Sequence, residues 1–149
     1  MAVTDEQVAT LRAQLTGDFD EHKRLLEQLD PVAARTGYIA LIAAAFFEAV
    51  DRRFVRGDQI ADDAEIIDFV GSVRARSDEA GEKIDPVAAE RLIRHSLGRG
   101  SIADLDDETV ISTQMFMLAG LVAEAQLHAT DLDGFLTEAR EVAEEWSNN

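Results

Sequence analysis

The run YIALIAAAFF, residues 38–47, is apolar at every position. A second run, MFMLAGLVA at residues 115–123, is also apolar along its whole length. Neither run reaches the roughly 20 residues that a helix needs to cross a bilayer. A helix that is apolar on every side is therefore expected in the centre of a soluble protein. We predict two central helices, over about residues 37–55 and 106–129.

The segments around these runs repeat apolar side chains every three or four positions, which is the spacing of one face of a helix. Two such faces comprise Ile66, Phe69, Val70 and Val73, and Leu132, Phe135, Leu136, Ala139, Ala143 and Trp146. No segment alternates apolar and polar residues over the length of a strand. The pattern predicts an all-α fold. We expect a single-domain helical bundle over residues 1–149, with about six or seven helices around the two apolar ones.

Residues typical of helix ends divide the chain further. Asp30-Pro31 and Asp85-Pro86 each combine a good N-cap with a proline at the first helical position, where a missing N–H costs nothing. The other expected N-caps are Thr4, Asp18, Asp62, either Asp104 or Asp106, and Thr130. The glycines expected to end helices are Gly57, Gly81, Gly98 and Gly100.

The first 30 residues allow two interpretations. A 3-4 heptad spacing of apolar side chains would suit one long helix. Gly17, followed by the Asp18 cap, predicts a break into two helices instead. The heptad seam is short and interrupted, so we favour packing on the same chain and leave the number of helices open.

The charge of the chain is strongly negative and unevenly distributed. The formal net charge is −16, and residues 100–149 carry 11 acidic residues against one basic residue, Arg140. Such a field repels nucleic acids and anionic lipids, because binding to either rests on Lys and Arg contacts to phosphate. It favours a basic partner or a cation. We expect a protein partner, either a second copy or a basic protein, and neither nucleic acid nor membrane.

Motifs that identify an enzyme or a metal site are missing from the sequence. There is no cysteine, no Glu-x-x-His or His-Glu-x-x-His, no EF-hand loop, no Gly-x-Ser-x-Gly and no phosphate-binding loop. We therefore assign no catalytic residue, no metal ligand and no cofactor. The N-terminus lacks the basic and apolar regions of a signal peptide, and we expect a cytoplasmic protein.

A ligand pocket between helices would draw on five candidates: His22, Tyr38, Gln114, Glu124 and His128. For His22 we favour a structural hydrogen bond to Asp18, one turn earlier. Glu124, His128 and Asp131 would share one face if their helix continued past His128. No segment resembles a known family closely enough to assign a role to any of these residues.

The arginines and one acidic cluster have different expected roles. The arginines of Arg52–Arg56 and Arg91–Arg99 are interrupted by acidic residues, so we expect them to form intramolecular ion pairs. The acidic residues expected to meet a basic partner are Asp104, Asp106, Asp107 and Glu108.

The sequence favours a cytoplasmic helical interaction module that binds another protein or itself and catalyses no reaction. The first alternative is a bundle that holds a small molecule or metal among its helices, enzymatic or not. The second alternative is an acidic decoy that imitates DNA for a basic protein.

Overall fold

The computed structural model describes residues 3–147, which contain eight helices and one short hairpin. The prediction of an all-α bundle is confirmed. The helices are α1 (Asp5–Leu15), α2 (Phe19–Gln28), α3 (Pro31–Phe54), α4 (Asp63–Arg74), α5 (Asp78–Lys83), α6 (Pro86–Ser96), α7 (Asp107–Ala125) and α8 (Ala129–Ser147). Strands β1 (Val55–Arg56) and β2 (Gln59–Ile60) pair antiparallel between α3 and α4.

Side-chain caps begin most of the helices where the sequence predicts them. The confirmed N-caps are Thr4, Asp18, Asp30, Asp62, Asp85 and Asp106. Two expectations were wrong: α8 begins at Ala129, which places Thr130 inside its first turn, and Gly81 lies within α5. The sequence analysis also missed Ser77, whose side chain accepts a hydrogen bond from the Ala80 N–H and caps α5.

The N-terminal segment forms two helices. Helix α1 ends at Leu15, and Gly17 takes a φ of +80°, a left-handed conformation that side chains other than glycine rarely adopt. Asp18 then caps α2 by accepting a hydrogen bond from the Glu21 N–H at 3.3 Å. The heptad seam is therefore interrupted after the 11 residues of α1, about three turns, by a break that one continuous helix could not contain.

Both apolar helices are present, with ends that differ from the predicted ones. Helix α3 starts earlier, at Pro31, and contains a π-helical turn over Ala34–Tyr38. By length and composition α3 could cross a membrane, and 44% of its most apolar window is buried inside the protein. Helix α7 ends earlier, at Ala125, because Gln126 takes a φ of +55°.

The chain divides into two compact units. Unit 1 comprises Met1–Glu48 and Ala125–Asn149, and unit 2 comprises Ala49–Glu124. In unit 1, α1 packs on α2, on the π-helical turn and on α8. In unit 2, α4 packs on α5 and α6. A single domain over the whole chain stays a prediction.

Each unit has an apolar core built from the predicted helix faces. Fully buried side chains in unit 1 include Leu11, Leu41, Ala44, Ala45, Phe46, Leu132, Phe135, Leu136, Ala139 and Ala143. Those in unit 2 include Val50, Phe54, Ile66, Phe69, Val70, Ile84, Ala88, Ala89, Leu92, Ile93, Met117 and Leu118. Trp146 departs from the pattern, because it ends a buried face of α8 and is nevertheless 44% exposed.

Gly120 of α7 packs closely against Val73 of α4 in unit 2. A Cβ atom added at Gly120 would lie 2.7 Å from Cγ2 of Val73, which is itself buried. Valine is stiff about its first side-chain torsion and cannot swing away easily. Gly71, in the middle of α4, has open space around its Cα instead.

We expect Gly120→Ala to lower the free energy of unfolding by about 1–2 kcal/mol, because overpacking a core outweighs the gain in helix propensity. Gly71→Ala is the matched control and should raise it by about 0.5–1 kcal/mol, since only the propensity changes. Urea unfolding followed by circular dichroism measures both. Equal stabilisation by the two substitutions would contradict the close helix contact.

Candidate functional site

Two aromatic rings lie against each other at the surface of unit 1. Phe47 of α3 and Trp146 of α8 meet edge to face, with ring centroids 5.8 Å apart and an interplanar angle of 73°. Phe47 is 37% exposed and Trp146 is 44% exposed. Large aromatic side chains are usually buried, and a contiguous exposed group of them marks a surface that meets another molecule.

Carboxylates border this aromatic pair on α8. Glu141 and Glu145 are exposed, and among the described residues neither carboxylate has a partner. The one basic residue of α8, Arg140, is fully engaged elsewhere: it donates to Asp5 Oδ1 at 2.6 Å, to the Val3 carbonyl at 2.6 Å and to Glu144 Oε1 at 3.0 Å. The negative charge beside Trp146 is therefore left uncompensated by Arg140.

Helix α2 offers a second exposed apolar surface in unit 1. None of its residues is buried, and Phe19 is 68% exposed and Leu26 is 45% exposed. Its other side is held on α1, where His22 Nδ1 lies 2.9 Å from the Thr10 carbonyl. Helix α2 carries three acidic residues and two basic ones, so its charge favours no particular partner.

A buried tyrosine ends the π-helical turn of α3. The Tyr38 side chain is 7% exposed, and its hydroxyl has no hydrogen-bond partner within the described part of the chain. Burial raises the pKa of Tyr38 well above its usual range. Gln7 of α1 packs into the same turn, and its Oε1 would lie 2.5 Å from a Cβ added at Gly37. π-Helical turns occur often at functional sites, which makes Tyr38 a candidate binding residue.

An arginine in unit 2 joins two glutamates over two aromatic rings. Arg53 donates from Nη1 to Glu65 Oε2 at 2.7 Å and from Nε to Glu124 Oε1 at 2.5 Å. Its guanidinium carbon lies 4.9 Å from the ring centroid of Phe54 and 5.5 Å from that of Phe69. The arrangement combines ion pairs with cation–π contacts and is a structural cluster, because every charge has a partner.

Two clefts adjoin this cluster, each with a volume of about 250 Å³. The first is lined by Phe54, Arg56, Gln59, Ile60, Ala61, Asp62 and Glu65, and the second by Phe69, Ser72, Val73, Arg76, Gly120, Ala123 and Glu124. Clefts that bury a drug-sized ligand usually measure about 300–1,000 Å³. These two are smaller and suit at most a small metabolite.

The hairpin that forms one wall of the first cleft was not predicted from the sequence. Its signal is the pair Gly57-Asp58 between Val55-Arg56 and Gln59-Ile60, since Gly-Asp is a favoured two-residue hairpin turn. Gly57 has a φ of +62°, as the first position of such a turn requires. Each strand has only two residues, too few for a visible alternation.

The residues predicted to line a ligand pocket lie in different parts of the structure. The expected His22–Asp18 hydrogen bond was wrong, because Asp18 is used as the α2 cap and His22 bonds across to α1. His128 is exposed and lies between α7 and α8, so the helix needed to align it with Glu124 does not continue. Gln114 is half-buried on α7 and lines neither cleft, whereas Glu124 lines the second. A pocket built from these five residues stays a prediction.

The acidic candidates near the start of α7 divide into two kinds. Asp104 accepts from Arg91 Nη1 at 3.1 Å, and this hydrogen bond lowers its pKa. Asp106 accepts from the Thr109 N–H at 2.7 Å, which lowers its pKa too. Asp107 and Glu108 are exposed in the first turn of α7. Two of the four acids are thus already used within unit 2.

Arg53, Arg56, Arg91 and Arg94 form ion pairs, as expected from the sequence, whereas Arg99 donates to the Ala61 carbonyl at 3.1 Å. Arg53 and Arg56 approach Glu65, Arg91 pairs with Asp104, and Arg94 donates to Asp63 Oδ1 at 3.1 Å. Within residues 3–147, no group of three or more His, Asp or Glu side chains is arranged to hold a metal ion.

No protein-family model, no curated protein and no solved structure matches this chain. Its function therefore has to be argued from its own surfaces and side chains.

We expect Tyr38→Phe to raise the free energy of unfolding by about 1–2 kcal/mol, because it removes a buried hydroxyl that lacks a hydrogen-bond partner. Chemical unfolding of the variant and the native chain measures the difference. A loss of stability would show that the hydroxyl has a partner in solution, and would move Tyr38 to the front of the ligand candidates.

Alkaline titration gives an independent readout, since Tyr38 is the only tyrosine. Its pKa is raised in the folded protein, so its contribution to stability is complete below about pH 10, where the unfolded tyrosine ionises, and is lost above it. Tyrosinate absorbance should therefore appear together with unfolding. The Tyr38→Phe variant should lose less stability than the native chain when the pH rises above about 10. Ionisation near pH 10 in a chain with native circular dichroism would contradict the burial.

Proposed function

We propose that the protein is a non-catalytic interaction module that binds a basic protein partner through the surface formed by Phe47, Trp146, Glu141 and Glu145, called here the aromatic surface. The proposal rests on the contact between Phe47 and Trp146, each of which is more than a third exposed. The carboxylates of Glu141 and Glu145 lie beside this pair, and Arg140 does not neutralise them.

The composition of the aromatic surface fits what interfaces use. Tryptophan and phenylalanine are enriched where proteins meet, and tryptophan dominates the few residues that contribute most to affinity. The contact between the rings also holds each of them in place before a partner arrives, which reduces the conformational entropy lost on binding. Exposed acids at the rim would attract a basic partner and exclude acidic ones.

The second candidate function is the binding of a small molecule among the helices. It is supported by the unpartnered Tyr38 hydroxyl in unit 1 and by the two clefts in unit 2. We place it second because the clefts are small and because each residue of the Arg53 cluster already has a partner. A DNA-mimicking decoy ranks third, since Asp104 and Asp106 are engaged with Arg91 and the α7 backbone.

The test compares partner capture by the native chain and by Trp146→Ala, with Val87→Ala as the control for loss of an exposed apolar side chain. Val87 is 60% exposed on α6 in unit 2. We expect a basic protein to be retained by the native chain and by Val87→Ala, and retention to fall at least about tenfold in Trp146→Ala, as for a central interface residue.

The expected partner should also be released at high salt, because screening weakens contacts between exposed charges. Circular dichroism must show that Trp146→Ala remains folded. Equal retention by all three chains, or no retention by the native chain, would refute the proposal.

A further inference from the structure

We infer that the occupant of the aromatic surface is an amphipathic helix of a partner protein, with lysine or arginine along one side of its apolar face. This inference rests on the interaction function proposed above and names the kind of segment that the surface would receive.

The apolar part of the surface is longer than the two rings alone. Val142 precedes Trp146 by one helical turn on α8, and Ala43 precedes Phe47 by one turn on α3. Both are half-buried. The ring contact brings the two pairs together into one apolar strip. Such a strip suits a helix whose apolar residues recur every three to four positions.

The acidic part of the surface has a helical spacing of its own. Glu141 and Glu145 are four residues apart on α8, so their carboxylates are neighbours on one face and repel each other weakly. Glu145 directly precedes Trp146 and lies about 100° around the helix from it, whereas Glu141 directly precedes Val142 and lies about 100° from that side chain, so both carboxylates lie beside the apolar strip. Two basic side chains spaced four apart on a partner helix would match both carboxylates and relieve their repulsion.

Charge also argues against the other occupants of such a strip. A second copy of this chain would bring its own Glu141 and Glu145 to the same place, and each copy has a net charge of −16. An anionic bilayer would be repelled in the same way. A basic helix is the occupant that gains from both the strip and the carboxylates.

The test uses Trp146 as its own reporter, because it is the only tryptophan in the chain. Three synthetic peptides of about 18 residues, roughly 27 Å long as helices, are titrated while tryptophan emission is recorded. The first is an amphipathic Leu/Lys helix, the second is its Leu/Glu counterpart, and the third has the Leu/Lys composition in an order without helical periodicity. We expect a saturable blue shift with the first peptide, none with the second, and at least about tenfold weaker binding of the third.

Matched variants separate the local carboxylates from the overall charge. Glu141→Gln with Glu145→Gln removes two charges beside Trp146, whereas Asp68→Asn with Glu82→Gln removes two exposed charges from unit 2. We expect the first pair to weaken Leu/Lys binding about three- to tenfold and to reduce its salt dependence, and the second pair to change it less than about twofold. Equal effects of the two pairs would show that only the net charge attracts the peptide, and would overturn the inference.

Failure of the inference can be told apart from failure of the proposed function. A partner that is captured through Trp146, combined with no peptide binding, would leave the interaction function standing and refute the helical occupant. Light scattering that shows a dimer dissociated by Trp146→Ala would assign the aromatic surface to a second copy instead, and would also overturn the inference.

Discussion

Burial of the apolar helix α3 is the constraint on which the rest of the structure depends. Residues 38–47 of this helix are apolar at every position, and Leu41, Ala44 and Val50 are completely removed from water. A helix of this kind gains its free energy only when other helices cover it, because burial of apolar area is the main favourable term in folding. The same helix supplies core residues to unit 1 before Ala49 and to unit 2 after it.

Burial of apolar side chains does not explain the surface that we propose for binding. Phe47 belongs to α3 and Trp146 to a regularly patterned face of α8, so both would be expected inside. Their partial exposure leaves apolar area in water, which lowers stability without a compensating contact inside the chain. Uncompensated carboxylates next to the rings have a similar cost. A protein partner that covers the rings and pairs the carboxylates would account for both features.

Contacts between residues that are close in sequence were the ones that could be predicted. Asp30 and Asp85 cap their helices because the acceptor, the proline and the first N–H lie within three residues. His22 shows the limit: its partner was sought one turn away, whereas it bonds to a carbonyl twelve residues earlier. The candidate site shows the same limit, since neither Phe47 nor Trp146 was chosen as a site residue, and their ring contact joins positions almost a hundred residues apart.

The sequence by itself determined that the chain is helical, where most of its helices begin, and which faces are apolar, because helix propensity, capping and periodicity act over a few residues. Only the tertiary structure decided that Trp146 stays exposed, that Arg140 is occupied by Asp5, and that Glu141 and Glu145 find no partner among residues 3–147. Those outcomes depend on which segments meet in space, and packing of distant segments is set by the shape and charge of whole helices and not by any local pattern.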